Sequence, residues 1–161
     1  MARRRQVAVS GGGVDPPRDV LDAAEEVGRR LAEAGIVLVC GGLGGVMEAA
    51  ARGAAGAGGE VVGIVPSADP ADANPHCTHV VATGIGHARN LAVVASGDAV
   101  VAIGGEWGTL SEIAFARRLG RPVIALRTWT VSGIGPMEAA PGIVPASSPE
   151  QAVEAVERAI G

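Results

Sequence analysis

Residues that could do chemistry concentrate in Asp98–Glu112, DAVVAIGGEWGTLSE. An apolar run of strand length meets Gly104, Gly105 and Gly108, and the pattern predicts a helix opening at Thr109. Such a junction presents backbone N–H groups beside a helix N-terminus, a setting that favours a phosphate or another anion. Three more junctions of this kind follow apolar runs: SGGG at Ser10–Gly13, CGGLGG at Cys40–Gly45, and TGIGHARN at Thr83–Asn90. In a parallel sheet the strand C-termini gather along one edge, where open α/β folds bind ligands. Glycines also serve plain turns, because they reach positive φ without any ligand. Four Gly-rich turns on one edge favour binding over turn chemistry alone.

The elements that must hold these turns alternate along the chain. Gln6–Ser10 reads as a strand, Arg18–Ala34 as a helix after Asp15-Pro16-Pro17, and Ile36–Cys40 as a continuously apolar second strand. A small-residue helix over Val46–Ala57 precedes strands at Glu60–Val65 and His79–Ala82, separated by a Pro-rich loop. His87–Ser96 reads as a helix, Ala99–Ile103 as the fifth strand, Thr109–Leu119 as a helix and Pro122–Leu126 as the sixth strand. Thr128–Pro141 is irregular, with Gly133, Gly135 and Pro136. A short extended piece near Ile143–Val144 leads to a last helix with Ser148 as cap and Gln151 three residues on. The alternation predicts an α/β fold, a Rossmann-like doubly wound parallel sheet forming one domain over residues 1–161.

Composition removes several function classes. A net charge of −4 offers no general attraction to nucleic acid, and with one Phe, two Trp and no Tyr there is no aromatic stacking platform. The chain contains no lysine. A P-loop needs a Lys on the β/γ-phosphates, and pyridoxal phosphate chemistry needs a Lys amine, so both fall. Two cysteines, Cys40 and Cys77, make no disulfide framework and point to a reducing cytoplasm. No apolar run is long enough for a signal peptide or a membrane span. His76, Cys77 and His79 have metal-capable side chains but no spaced fourth ligand, so no metal site is expected. The dinucleotide fingerprint is only partial: Gly42 and Gly44 match it, but Met47 stands at the third glycine's place and the second strand ends in Cys40.

Taken together, CGGLGGVMEAAARGAAGAGGEVVGIVP (Cys40–Pro66) and GHARNLAVVASGDAVVAIGGEWGTLSEI (Gly86–Ile113) resemble the LONELY GUY family and its relatives, among them molybdenum-cofactor carrier proteins. The resemblance runs from the first strand to the sixth. It implies a nucleotide-type ligand and a homodimer or larger assembly. Some relatives carry a lysine decarboxylase label, which the missing lysine contradicts. The hydrolases of the family split a nucleoside 5′-monophosphate into base and ribose 5-phosphate without a cofactor. Their motif is Pro-Gly-Gly-x-Gly-Thr-x-x-Glu with an Arg on the preceding helix, matched here by Gly104–Glu112 and Arg89.

The resemblance makes Arg89 and Glu112 the candidate catalytic pair. Glu112 would stabilise positive charge developing on the ribose, and Arg89 would grip the phosphate or ribose. Ser10, Gly11, Gly41, Gly42, Gly44, Gly45, Asn90, Gly104, Gly105, Gly108 and Thr109 are the candidate ligand and phosphate contacts. Glu112 also fits a capping box, Thr109-Leu110-Ser111-Glu112, and Arg89 a surface ion pair. Met47 and Trp107 could flank a ring, although Met at a helix start more commonly packs in a core.

Three departures matter: Gly104 replaces the Pro, Glu106 the second Gly, and Asn90 the Lys beside the Arg. A carboxylate at Glu106 repels a phosphate if it faces the anion site and does little if it points outward. Three functions therefore stand open: a nucleoside 5′-monophosphate hydrolase, a carrier with molybdenum cofactor or a related pterin phosphate as cargo, and a nucleotide sensor without turnover.

Overall fold

The computed structural model describes residues 2–133 and 140–161; Gly135 and Pro136 of the irregular stretch lie outside them. Seven strands form one parallel sheet: β1 (Gln6–Gly11), β2 (Val37–Cys40), β3 (Val61–Val65), β4 (His79–Ala82), β5 (Ala99–Ile103), β6 (Val123–Leu126) and β7 (Ile143–Ala146). Their order is β4-β3-β2-β1-β5-β6-β7. Five helices connect them: α1 (Arg18–Glu33), α2 (Val46–Gly56), α3 (Arg89–Ser96), α4 (Trp107–Arg118) and α5 (Pro149–Ile160). The chain has the expected α/β Rossmann-like architecture.

Alternation along the strands divides the core into two layers, because successive side chains leave a strand on opposite faces. Val7 and Val9 of β1, Leu38 of β2 and Val101 of β5 pack with α1, α2 and α5 on one face. Ala8, Val39 and Val100 pack on the other with Val93 and Val94 of α3 and Ile113 and Ala116 of α4. Continuous apolar strands are thereby covered on both sides. Leu31 and Leu38 are fully buried, and truncating either to Ala is expected to cost about 2–5 kcal/mol.

β1 is the centre of the sheet and the place where the strand order reverses. It pairs with β2 on one side (Val7 with Leu38) and β5 on the other (Ser10 with Ala102, Gly11 with Ile103). Chains leaving the C-terminal ends of β1 and β5 turn to opposite faces and open a crevice. The expected last helix also forms as read: the Ser148 hydroxyl accepts from the Gln151 N–H.

Two helix starts differ from the sequence reading. The segment expected as one helix from His87 begins with a 3-10 turn, Gly86–Ala88, and α3 proper starts at Arg89. More consequentially, α4 starts at Trp107, and Glu106 is its extended N-terminal boundary (φ −116°, ψ −175°). Gly104 (φ 62°) and Gly105 (φ 149°) make the turn out of β5 in conformations that L side chains rarely adopt. The turn closes so quickly that Thr109 falls inside the first helical turn. Thr109 is therefore not the cap, and the capping box at Thr109–Glu112 does not form.

Candidate functional site

Glu112 stands one turn further along α4, and the helix axis aims it back at the end of β1. The Ser10 hydroxyl donates to its carboxyl Oε2. Both groups are buried, Ser10 at 2% exposure and Glu112 at 7%. Burial pushes the Glu112 carboxyl up to about 7, against the opposing effects of the Ser10 hydrogen bond and the charge of Arg89. A carboxyl in that range exchanges its proton near neutrality and can act as acid or as base.

Arg89 enters the same space from the start of α3. Only 7% exposed, it donates through NH2 to the Gly41 carbonyl (3.2 Å) and through NH1 to Asn90 Oδ1. Its Nε has no hydrogen-bond partner among the described residues. No carboxylate pairs with it among the described residues. Burial lowers its pKa, and the neighbouring Glu112 and Cys40 act in the opposite sense. The surface ion pair considered from sequence is not what holds Arg89.

These groups line a cavity of about 160 Å³ at the β1/β5 crevice, with Gly11, Gly12, Gly13, Gly41, Met47, Gly108 and Thr109 in its walls. Residues of all four Gly-rich junctions meet here, Thr83–Asn90 contributing through His87, Arg89 and Asn90. Gly42, Gly44 and Gly45 do not line the cavity; they shape the turn into α2. Gly104 and Gly105 line a neighbouring cavity of about 140 Å³.

Glu106 borders both cavities. Its side chain makes no helix cap and lies on Gly12, with Oε1 3.2 Å from where a β-carbon of residue 12 would sit. This carboxylate opposes an anion at the Gly108–Thr109 turn, and the free donor lies at Arg89 instead.

Of the two ring-flanking candidates, Met47 lines the cavity. Trp107 does not; 75% exposed, it packs against Trp129 with ring centroids 5.0 Å apart. The Trp129 Nε1–H in turn donates to the Glu106 carbonyl (3.1 Å). His87 borders the cavity from the 3-10 turn. The Ser10–Glu112 bond escaped the sequence reading, which took Ser10 as a ligand contact and Glu112 as a catalytic group or cap. Only their positions at the two ends of the β1/β5 crevice pointed to it.

Other candidates contribute less. A groove of about 510 Å³ runs between α1 and α2, but its charges pair internally, as Arg52 with Glu25 (2.9 Å) and Arg29 with Glu26 (2.5 Å). Among the described residues no group of three or more His, Cys, Asp or Glu is placed to hold a metal, and no helix is long and apolar enough to cross a membrane.

Comparison with known proteins agrees with this frame. The structure of the molybdenum cofactor binding protein from the phototrophic bacterium Rippkaea orientalis is similar over all of both chains, with 32% identity and a TM-score of 0.88. An uncharacterised protein of Archaeoglobus fulgidus is 44% identical over 122 residues, 76% of this chain and 80% of that one. A probable cytokinin riboside 5′-monophosphate phosphoribohydrolase of Oryza sativa subsp. japonica is 38% identical over 94 residues, 56% of this chain and 38% of its own length. The junction pattern, the parallel sheet and a family match over residues 4–155 agree: this chain belongs to the SLOG cluster4 family.

Proposed function

We propose that this protein binds a phosphorylated, nucleotide-like small molecule in the β1/β5 crevice, with a pterin phosphate of the molybdenum-cofactor type as its ligand and Arg89 as the anion anchor. One observation carries the proposal: the buried Arg89 guanidinium has an unpartnered Nε and no carboxylate pair among the described residues. An uncompensated buried charge is costly, and an anionic ligand would offset that cost. The likeness to the Rippkaea orientalis protein over the full chain supports the choice of ligand class. Asn90 and Gly41 hold the guanidinium in place; Ser10 and Glu112 present a hydroxyl and a carboxyl beside it. Gly108 and Thr109 close the wall.

Equilibrium dialysis against anaerobically prepared molybdenum cofactor, with bound molybdenum as readout, tests the proposal. Retention by the wild type and loss in Arg89→Ala support it; no retention by the wild type refutes it.

A second reading has its own observation. Glu112, at about 7, beside Arg89 forms the pair expected of a nucleoside 5′-monophosphate phosphoribohydrolase. In that reaction Arg89 holds the phosphate, and ionised Glu112 faces the ribose carbon whose bond to the base breaks. Incubation with AMP would then release adenine and ribose 5-phosphate, abolished in Glu112→Ala. Absence of release from every monophosphate tried leaves binding without turnover.

The same reading makes the chain a single ligand-binding domain over 1–161, cytoplasmic and homo-oligomeric, without nucleic-acid or membrane partners. Exposed Leu91 on α3, Phe115 on α4 and Leu119 just after α4 support self-association. Sedimentation at micromolar concentration tests it, and a monomer refutes it.

A further inference from the structure

The cavity has two unlike ends, and Glu106 defines the second. Gly41, Gly13 and Gly12 place three side chains in sequence along one wall. A β-carbon at Gly41 would lie 2.7 Å from both Arg89 NH2 and Met47 Sδ. One at Gly13 would lie 3.4 Å from Met47 Cε, and one at Gly12 would lie 3.2 Å from Glu106 Oε1. The wall therefore runs from a guanidinium, across a thioether, to a carboxylate.

The guanidinium has a free donor, and the Glu106 carboxylate makes no side-chain hydrogen bond or ion pair among the described residues. An ionised carboxylate only accepts, and its two oxygens match two adjacent N–H groups in one plane. A second anion at that end is opposed. The polarizable sulfur between the ends suits the face or edge of a planar ring.

We propose that Glu106 selects the ligand's heterocycle: it accepts from the paired N–H donors of an amino-oxo-pyrimidine edge, shared by guanine and pterin, while Arg89 holds the acidic group of the same molecule. This rests on the anion being anchored at Arg89. Adenine lacks that donor pair, so the cavity discriminates against adenine nucleotides through Glu106 rather than through its size.

Titration calorimetry with GMP, IMP, AMP and neopterin monophosphate tests this on wild type, Glu106→Gln and Arg89→Ala. GMP is expected to bind at least ten-fold tighter than AMP, with IMP, which lacks the exocyclic amine, between them. Glu106 is exposed, so its Gln variant should fold. That variant should bring GMP and AMP within about three-fold of each other while still binding both, because an amide keeps one accepting oxygen and sets a donating NH2 against the second N–H. Equal wild-type affinities for GMP and AMP, or an unchanged ratio in Glu106→Gln, overturn the role of Glu106 and leave the Arg89 anchor standing. Binding that survives in Arg89→Ala, or no wild-type binding of any of the four, overturns both. Whichever of GMP and neopterin monophosphate binds tighter identifies the source of the edge, and either ranking upholds it.

Discussion

Ser10 at the end of β1 and Glu112 on α4 share a hydrogen bond across 102 residues of sequence. The bond ties the strand at the sheet's reversal point to the helix that closes the crevice. It also places a carboxyl that exchanges its proton near pH 7 next to a buried guanidinium whose Nε has no partner among the described residues.

That carboxyl should make stability fall with rising pH. Between its ordinary value of 4.5 and about 7 the folded chain keeps a proton that the unfolded chain has released. The contribution is complete below about 4.5 and is lost as pH rises through about 7, amounting to at most about 3 kcal/mol. Urea unfolding at pH 5 and pH 8 should show the difference, and Glu112→Gln should remove most of it. Equal pH dependence in both proteins would contradict the burial argument.

Arg89 should separate stability from binding. Replacing it with Met removes a buried charge without leaving a carboxylate unpaired, so the ligand-free protein should unfold within about 1 kcal/mol of wild type or more stably. Stabilisation by added ligand should vanish. Melting curves with and without ligand check both. A variant that unfolds several kcal/mol more easily would make Arg89 a structural residue.

The α1–α2 contact depends on glycine. A β-carbon on Gly28 would lie 2.0 Å from the Ala50 carbonyl oxygen, and one on Gly53 would lie 1.9 Å from that of Glu25. The helix backbones touch there, and Gly28→Ala must push them apart at a cost of about 3 kcal/mol. Denaturant midpoints measure it. A loss within error of zero would mean the helices separate freely.

Cys40 and Cys77 should differ in reactivity. A hydrogen bond to Cys77, together with burial, pushes the Cys40 thiol well above its usual pKa, whereas Cys77 is half-buried in the loop before β4. A maleimide should label one thiol in the native state and the second only after unfolding. Mass spectrometry identifies the site; rapid native labelling of Cys40 would contradict its burial.

Much of the strand and helix pattern was legible because apolar runs and Gly-rich breaks are local signals. Every strand expected from Gln6 to Leu126 formed, with boundaries shifted by a residue or so. The start of α4 was not legible: Thr109 and Glu112 have the spacing of a capping box, and only the turn at Gly104–Gly105 moved the boundary to Glu106. Trp107 likewise had the right type to stack on a ligand, yet its neighbour Trp129 comes from beyond β6. Spacing cannot reveal such partners.

The amino-acid order determined the alternating elements, the absence of lysine chemistry and the four candidate junctions, all properties of short segments and residue types. The tertiary structure decided which residues of those junctions converge. Reversal of the strand order at β1 brings Ser10, Arg89 and Glu112 together, and packing directs Glu106 onto Gly12. Burial then supplies what no segment holds alone, because a carboxyl rises towards neutrality and a guanidinium is left wanting an anion only when water has been excluded from both.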